Sequence, residues 1–517
     1  MMSLAYAALL GMTWSTSAAV PTGVAYPAGG HYLYNGVVYS VLASGCTSAS
    51  YTFTYQHIWF DPVNLSYITK QDHPLAVYKI SGIAAPYSGT NRFFTFGGEW
   101  TDGSSITLYR SGYRYDPVGN SWQSLTNIPA TEGSAGLALG YWRDTIYLIG
   151  GAVYNAMVPY KNASNTLYKY SVTNNNYTTG TNVPYNIAEA AYATTINSSG
   201  DSSVFIFGGC QDYDDNWGTP SNFTTNTYEY RFSTGSWTSR ASLPGPARTG
   251  AIATVLRGKI YVIGGFTGSV DVDRVDIYTP SSNSWAVGPS LPSAHDGGAA
   301  SAPDMPFNYP PTLLFPPDGD TICRDSTYGF DWDVVGPVKI VYNGEGTASG
   351  ITNNTYILRT DIANNILRYT QDPTFATYNQ VTTTTTNYNL ALNQVGWWYW
   401  TVRSIDDLGD SSAWSDTFSV YVMNCSLGGD ETNPGKPFEV KAKGLSVGAV
   451  ELNVLSYEAK GLSLEIYNPV GVLVEKRMVY VRRGLNTFSV PVSAGGTYVA
   501  VLRDGARVIT KRVAVVR

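Results

Sequence analysis

The chain has 517 residues, which is too long for one hydrophobic core, so we expect several domains. Charged residues make up only 14% of the chain and the net charge is −6, which argues against a nucleic-acid partner because phosphate binding requires clustered Lys and Arg. No apolar run reaches the ~18 residues that a membrane-spanning helix requires. Because few residues are charged, the polar surface must come from neutral groups, as in extracellular and assembly proteins.

The first 19 residues allow two interpretations. Leu4–Met12 is a short apolar stretch, and it precedes Ser17-Ala18-Ala19, a pattern typical of the end of a signal peptide. Alternatively, Trp14 lies 53 residues before Tyr67 and so falls in phase with the repeat described next. In that case Thr13–Pro21 is the closing strand of a repeat unit, and we favour this interpretation slightly.

A repeat runs through the N-terminal part of the chain. Apolar runs ending in Gly-Gly occur at Phe93–Gly98, Ile146–Gly151, Val204–Gly209 and Ile260–Gly265, with a degenerate copy at Val37–Gly45. Each run is followed by two aromatic residues seven positions apart: Phe60/Tyr67, Tyr115/Trp122, Tyr170/Tyr177, Tyr230/Trp237 and Tyr278/Trp285. Turn residues between the members of each pair favour a hairpin. The pattern predicts four-stranded blades with aromatic rings between neighbouring blades.

The order of these markers resembles the kelch repeat. Gly-Gly is followed by Tyr115-Asp116-Pro117 and Trp122 in one copy, and Leu243-Pro244 and Leu291-Pro292 end two others. The resemblance implies a kelch-type β-propeller over residues 13–305. Five blades carry markers, and the strand at Trp14 would make a sixth.

Propeller sites usually lie at the channel mouth, where the inner strand of each blade begins. The residues at this position are Tyr78, Glu132, Glu189, Arg248, His295 and Asp296. Two carboxylates near an Arg could carry out acid–base chemistry on a sugar, but solvated groups or a channel ion pair explain them better. We therefore treat them as candidate ligand-binding residues and assign no catalytic residue.

One loop has the alternating oxygen groups of a calcium site. Asp212, Asp214 and Asn216 would be the ligands, but the following Gly is one place late and Phe223 stands where a bidentate Glu is expected. An exposed insertion is the simpler interpretation, with a calcium site as the alternative, and no other cofactor is predicted.

A second domain is predicted over residues 309–425. Short alternating strands such as Trp397–Arg403 predict a β-sandwich, and the segment resembles fibronectin type III-like modules. Cys323 and Cys425 bracket it, so a disulfide between them would fit an oxidising compartment, with two buried thiols as the alternative. Cys46 and Cys210 follow Gly motifs in nonadjacent blades and are not paired.

A third domain is predicted over residues 437–517, after a linker at 426–436. Residues 430–517 hold 13 Lys and Arg against 8 Asp and Glu, so this end is basic while the rest of the chain is acidic. Leu464–Gly471, Gly496–Val499 and Thr510–Val513 resemble the C-terminal sorting domain of proteins exported by the bacterial type IX route. A plain small β-sandwich gives the same pattern, and either one implies attachment or docking.

Sequons for N-glycosylation occur at Asn64, Asn162, Asn176, Asn197, Asn222, Asn353 and Asn424. With the low charge and the absence of a strong catalytic pattern, they favour a noncatalytic extracellular or cell-surface protein for adhesion, scaffolding or self-assembly. Its partners would be other copies of itself, surface proteins or glycans. The alternative is a secreted glycan-binding or carbohydrate-active enzyme that uses the channel mouth.

Overall fold

The computed structural model describes residues 12–48, 51–130, 133–154, 161–213, 219–307, 309–343, 351, 353–424, 438–442, 446–447, 449–456, 460–468, 473–482, 484–492, 496–504 and 507–516. These residues form β-strands and no helix, as the sequence predicted. Accordingly, none of the described residues belongs to a helix that could span a membrane. The chain divides into two compact units, one ending at Asn424 and one beginning at residue 425.

The described residues before position 290 form twenty-nine strands. The first are β1 (Met12–Thr16), β2 (Ala28–Tyr34), β3 (Val37–Ala43), β4 (Cys46–Ser48), β5 (Thr52–Phe53), β6 (His57–Asp61), β7 (Ser66–Thr69), β8 (Ser81–Tyr87), β9 (Thr90–Phe96), β10 (Glu99–Thr101), β11 (Ile106–Leu108), β12 (Gly112–Asp116), β13 (Ser121–Ser124), β14 (Ala138–Trp142) and β15 (Thr145–Ile149). They are followed by β16 (Ala152–Tyr154), β17 (Lys161–Ala163), β18 (Leu167–Ser171), β19 (Asn176–Thr179), β20 (Ala191–Ile196), β21 (Ser202–Phe207), β22 (Cys210–Tyr213), β23 (Pro220–Phe223), β24 (Thr227–Arg231), β25 (Ser236–Ser239), β26 (Ile252–Leu256), β27 (Lys259–Ile263), β28 (Val275–Thr279) and β29 (Ser284–Val287).

The remaining strands belong to the rest of the first unit and to the second. In the first unit they are β30 (Ala299–Ser301), β31 (Thr312–Phe315), β32 (Asp320–Cys323), β33 (Thr327–Asp333), β34 (Val338–Asn343), β35 (Thr355–Thr360), β36 (Ile362–Thr370), β37 (Asn379–Thr383), β38 (Asn387–Ala391), β39 (Gly396–Asp406) and β40 (Phe418–Met423). In the second unit they are β41 (Phe438–Ala442), β42 (Ser446–Val447), β43 (Ala449–Ser456), β44 (Lys460–Tyr467), β45 (Leu473–Val481), β46 (Gly484–Pro491), β47 (Gly496–Asp504) and β48 (Arg507–Val516).

The described residues form six four-stranded sheets that surround a channel. Sheet 1 contains β2-β3-β6-β7, sheet 2 β8-β9-β12-β13, sheet 3 β14-β15-β18-β19, sheet 4 β20-β21-β24-β25 and sheet 5 β26-β27-β28-β29. Sheet 6 contains β30-β34-β35-β1. The inner strands β2, β8, β14, β20, β26 and β30 contact one another in this order, and β30 contacts β2, so the sheets close into a ring.

The aromatic pairs occupy the positions that the repeat predicted. The members of each pair face each other across the third and fourth strands of a sheet, with ring centroids 5.1 Å apart for Tyr115 and Trp122 and 4.9 Å apart for Tyr278 and Trp285. The Trp122 indole then donates a 3.0 Å hydrogen bond to the Gln71 carbonyl of the preceding repeat. Each pair therefore packs its own sheet and links it to a neighbour.

The Gly-Gly motif is required by its backbone. In sheet 2 the motif follows β9, and Gly97 has φ 67°, in the left-handed region that favours glycine. A Cβ at Gly97 would lie 2.1 Å from the Ser134 carbonyl oxygen, too close for any side chain. The chain can turn sharply out of the second strand only without a side chain at this position.

Sheet 6 is built from three distant parts of the chain. Its inner strand β30 continues the repeat, β34 and β35 come from within the range predicted as the second domain, and β1 is the outer strand. Trp14 on β1 donates a 2.9 Å hydrogen bond to the Pro289 carbonyl, as the repeat tryptophans do to their neighbouring sheets. The strands β34 and β35 thus complete the ring instead of the sandwich, because Ile340 and Leu358 bury against apolar residues of sheet 5.

A β-sandwich occupies the rest of the first unit. A three-stranded sheet, β31-β33-β38, and a five-stranded sheet, β32-β40-β39-β36-β37, share one core. Trp332 and Trp400 are the largest fully buried side chains of that core. The predicted sandwich is therefore present, interrupted by the two strands given to sheet 6.

A network of ion pairs around the buried Lys339 joins this sandwich to the ring. The Lys339 ammonium on β34 lies 2.9 Å from the Asp304 carboxylate and 2.8 Å from that of Asp410. Arg257, in the β26–β27 turn, pairs with the same two carboxylates. Because Asp410 belongs to the sandwich, the network fixes the sandwich against sheets 5 and 6.

The second unit is another β-sandwich. Its sheets are β41-β43-β46 and β42-β48-β47-β44-β45, and they enclose a core that includes Leu452, Leu464 and Leu502. This confirms the predicted third all-β module. The linker predicted at 426–436 lies outside the described residues.

Candidate functional site at the channel mouth

The channel runs between the six inner strands. It encloses a cavity of about 320 Å³ lined largely by small residues, among them Gly82, Ala84, Ala253 and Ala300. Tyr192 reaches across from β20 and donates a 3.2 Å hydrogen bond to the Gly82 carbonyl on β8. Apolar walls with a few polar groups are typical of a ligand cavity, so the ends of the channel decide what can enter it.

Six equivalent residues form a ring at one end of the channel, just before each inner strand. They are Tyr26, Lys79, Gly136, Glu189, Gly250 and Gly297, and all have φ between 51° and 63°. Amide groups donate around this ring, from Gly136 to the Lys79 carbonyl at 2.7 Å and from Glu189 to that of Gly136 at 2.9 Å. We call these six the mouth ring.

Three members of the mouth ring carry side chains despite this left-handed backbone. That conformation costs a non-glycine residue about 1–2 kcal/mol, so the side chains of Tyr26, Lys79 and Glu189 must be held by their contacts. A Cβ at Gly136 would lie 2.8 Å from the Glu189 Cγ, and one at Gly297 would lie 2.6 Å from the Tyr26 ring. These side chains therefore lie over the glycine positions and close the mouth.

Lys79 and Glu189 form a buried ion pair. The Lys79 Nζ lies 2.6 Å from Glu189 Oε1, and Tyr213 donates a 3.0 Å hydrogen bond to the same oxygen. Burial by itself lowers the pKa of Lys79, but the carboxylates of Glu189 and Glu99 outweigh it, so the pKa is raised. The ammonium stays charged at every physiological pH.

A second buried ion pair, between Lys161 and Glu99, lies close to the first. Lys161 on β17 contacts both oxygens of Glu99 on β10 at 3.1 Å, and Tyr78 donates a 2.7 Å hydrogen bond to Glu99. Burial raises the pKa of Glu99, but the positive charges of Lys161 and Lys79 lower it by more, so the pKa of Glu99 lies below its usual value. The strands β10 and β17 belong to hairpins inserted after the second strand of sheets 2 and 3, so the pair ties these hairpins together over the mouth.

Asp296 is a buried carboxyl group of this cluster whose pKa is raised. Burial is the largest cause and raises the pKa of Asp296 to about 7, and the nearby carboxyl groups of Asp271 and Glu189 also raise it. The hydrogen bond from Tyr26 and the charge of Lys79 lower the pKa, but they do not outweigh burial. Tyr26 and Asp296 are brought together by the closure of the ring, since they belong to the loops before β2 and β30.

We expect Asp296 to make stability fall as pH rises. The folded-state pKa lies above the unfolded value, so the folded protein binds more protons, and stability should decrease by on the order of 1.4 kcal/mol per pH unit between about pH 4 and pH 7. Urea unfolding of the parent and of Asp296→Asn at several pH values in this range gives the free energy of unfolding of each. The contribution of Asp296 is the difference between the pH dependences of these two free energies. Parallel curves would contradict it.

The structure brings some of the predicted channel residues together and separates others. Tyr78, Glu189 and Asp296 meet at the mouth. Arg248 is fully buried and instead donates to Asp276 at 2.7 Å and to the Gly264 carbonyl at 2.9 Å. His295 is buried between Ser293 and Tyr356, with its Nε2 3.0 Å from the Tyr356 hydroxyl. Glu132 lies outside the described residues.

Sequence reasoning missed Tyr26, Lys79, Glu99, Lys161 and Tyr213. The mouth ring had a usable signal, because its members precede each inner strand at equivalent positions of the repeat. Glu99, Lys161 and Tyr213 had none, since they lie in hairpins whose length and sequence differ from one sheet to the next.

The two remaining cysteines and the predicted calcium loop do not form a site among the described residues. Cys46 and Cys210 are free and buried, and burial raises the pKa of the Cys210 thiol to about 12. Asp212 lies on β22, while its predicted calcium partners Asp214 and Asn216 lie outside the described residues. The described residues contain no group of three His, Cys, Asp or Glu side chains placed to hold a metal ion.

The sequons differ in accessibility. Asn64, Asn176, Asn222, Asn353 and Asn424 are exposed, and Asn162 is partly exposed. Asn197 is 5% exposed and its amide donates a 2.6 Å hydrogen bond to Glu229, so a glycan there would break a buried contact.

Comparison with known proteins supports the repeat. A model of the kelch motif matches residues 247–292. The human Kelch repeat and BTB domain-containing protein 12 is 29% identical over 197 residues, 35% of this chain and 29% of the relative. Alpha-scruin of Limulus polyphemus is 28% identical over 213 residues, 39% of this chain and 21% of the relative. The chain thus aligns with less than a third of either relative.

A solved structure titled "Structure of YjhT" aligns with 66% of this chain and 99% of its own, at 14% identity and a TM-score of 0.46. The kelch motif, the kelch-repeat relatives and the closed ring of four-stranded sheets together show that this all-β chain contains a kelch-type β-propeller.

Proposed function

We propose that this protein is a noncatalytic extracellular surface protein whose propeller presents a binding face for self-assembly, scaffolding or adhesion. The observation that carries the proposal is the sealed mouth. Buried ion pairs join Lys79 to Glu189 and Lys161 to Glu99, so these side chains support the ring instead of facing a substrate. The kelch-repeat relatives support a role in protein interaction.

The proposed binding face is the rim of hairpins around the mouth. Sheets 1 to 4 each carry a hairpin beyond the second strand: β4–β5, β10–β11, β16–β17 and β22–β23. Aromatic side chains emerge here, with Tyr51 45% and Tyr55 54% exposed. Phe53 lies 6.5 Å from Trp100 between ring centroids, so the first two hairpins share one aromatic surface. Exposed aromatic residues are typical of protein interfaces.

The test is the oligomeric state of the full chain, measured by light scattering over a concentration series and by electron microscopy. We expect the parent protein to self-associate, and we expect the double variant Tyr51→Glu with Tyr55→Glu to be monomeric. Val118→Glu, a change at an exposed turn of sheet 2, should leave it intact. A strictly monomeric parent at high concentration would overturn self-assembly.

The same material tests the alternative of a glycan-binding or carbohydrate-active channel mouth. Glycan-panel binding or hydrolysis by the parent, lost in Glu189→Gln, would favour this alternative over a purely protein-binding face. Turnover would also overturn the noncatalytic assignment.

The extracellular location predicts a Cys323–Cys425 disulfide. Cys323 ends β32, and Cys425 lies outside the described residues. Peptide mapping without reduction should recover the two cysteines in one linked fragment, and Cys323→Ser should cost about 2–4 kcal/mol of stability because it frees a long loop in the unfolded chain. Recovery of two free thiols from native material would contradict this.

We assign attachment or docking to the C-terminal unit, in line with its basic charge. Deleting residues 437–517 should leave the propeller folded and should release the protein from the surface that holds it. Unchanged retention after the deletion would contradict this role.

A further inference from the structure

A cleft separates the propeller from the first sandwich. Its volume is about 370 Å³, and the lining is mostly apolar: Pro62, Val63, Met305, Pro310, Val335 and Pro337. Pro62 and Val63 come from a turn of sheet 1, and Val335 comes from the segment between β33 and β34. Val335 is 59% exposed, so the apolar wall is open to solvent.

Arg359 supplies the cation of this cleft. It lies on β35, partly buried, and its Nη1 donates a 2.8 Å hydrogen bond to the Gly336 carbonyl. Among the described residues it forms no ion pair with a carboxylate, and burial lowers the pKa of its guanidinium. The guanidinium has therefore lost part of its hydration without gaining a counterion.

Other buried cations of this unit are compensated. Arg248 pairs with Asp276 at 2.7 Å, and Lys339 lies 2.9 Å from Asp304. Buried charges are normally paired because an isolated one is costly to desolvate. Arg359 is partly buried and has no such partner among the described residues, and it lies beside an open apolar cleft where an external anion can pair with it.

We propose that this cleft binds a small organic carboxylate with an apolar body. The carboxylate accepts hydrogen bonds from Arg359, whose planar fork matches two oxygens, and the apolar body lies against the prolines and Val335. The volume is that of a small-molecule site. Exposed Asp333 lies in the lining of the cleft and disfavours a second negative charge, so a monocarboxylate is preferred over a dicarboxylate.

Titration of the full chain with octanoate tests the site by calorimetry. We expect saturable binding by the parent, at least tenfold weaker binding of octan-1-ol and octylammonium, and at least a tenfold loss with Arg359→Gln. Asp333→Asn should strengthen octanoate binding a few-fold, since it removes a repulsive charge. Arg368→Gln, on β36 outside the cleft, is the matched control and should change nothing.

Arg359 also donates a hydrogen bond to the backbone at Gly336, so Arg359→Gln could lose binding through a local change in fold. A second variant that keeps this hydrogen bond separates the two causes. Val335→Glu places a carboxylate at the exposed wall and should weaken octanoate binding while leaving the unfolding temperature unchanged. No binding by the parent at millimolar octanoate, or equal binding by the parent, Arg359→Gln and Val335→Glu, would overturn the proposal. The oligomeric state is independent of this site, so the outcome leaves the surface role untouched.

Discussion

A chain that ends at Asp304 should fail to form a stable propeller, whereas a chain that ends at Asn424 should fold. The shorter chain lacks β34 and β35, so β30 and β1 lose the strands between them. It also loses the burial of Ile340, Val341, Ile357 and Leu358, worth roughly 1.5–3 kcal/mol each. The sum is comparable to the whole stability of about 5–15 kcal/mol for a typical domain.

Circular dichroism and limited proteolysis of the two truncated chains measure this difference. The chain ending at Asn424 should unfold cooperatively and resist protease, and the chain ending at Asp304 should be cleaved throughout. Cooperative unfolding of the shorter chain near the temperature of the longer one would show that the ring closes without sheet 6.

Replacing Lys79 with Met should cost about 3–5 kcal/mol, because Glu189 would be left buried without its counterion. Replacing both Lys79 and Glu189 with Met should cost clearly less than the single change. It removes both charges together, at the expense of the hydrogen bond from Tyr213. Denaturant unfolding of the parent, both single variants and the double variant gives the coupling energy.

Lys169→Met is the matched control, since Lys169 is partly exposed on β18 and should change stability by less than about 0.5 kcal/mol. If Lys79→Met leaves stability intact but abolishes binding of a glycan, the pair belongs to a binding site and the sealing role is wrong. Additive effects of the two single changes would show that the pair does not stabilise the mouth.

The repeat could be predicted because its signals are local. Tyr115 and Trp122 are seven residues apart and become cross-strand neighbours in one hairpin, so spacing alone identifies the contact. The Gly-Gly pairs are equally local, since the turn after the second strand requires left-handed backbone. Both sandwiches could also be predicted, from alternation within their own strands.

The channel mouth could be predicted only in part. Glu189 belongs to the mouth ring and Asp296 directly precedes a member of it, and the two carboxyl groups do lie close enough to interact. Arg248 stands near the same position, but its side chain turns toward Asp276 inside sheet 5. Strand position specifies where a backbone lies, whereas the direction of a long side chain depends on which counterion the neighbouring strands offer.

The amino-acid sequence by itself determined the blades, because each blade is a short-range pattern of turns, glycines and aromatic rings. The phase of Trp14 with the repeat also indicated the strand that closes the ring, but tertiary structure alone decided which strands join it and how the mouth is sealed. Sheet 6 joins Met12–Thr16 to strands more than 280 residues away, and Lys161 meets Glu99 from a different hairpin. The choice of partners for β1 and the pairing of these charges depend on burial of apolar faces and on compensation of buried charges across the assembled ring, and the repeat pattern specifies neither.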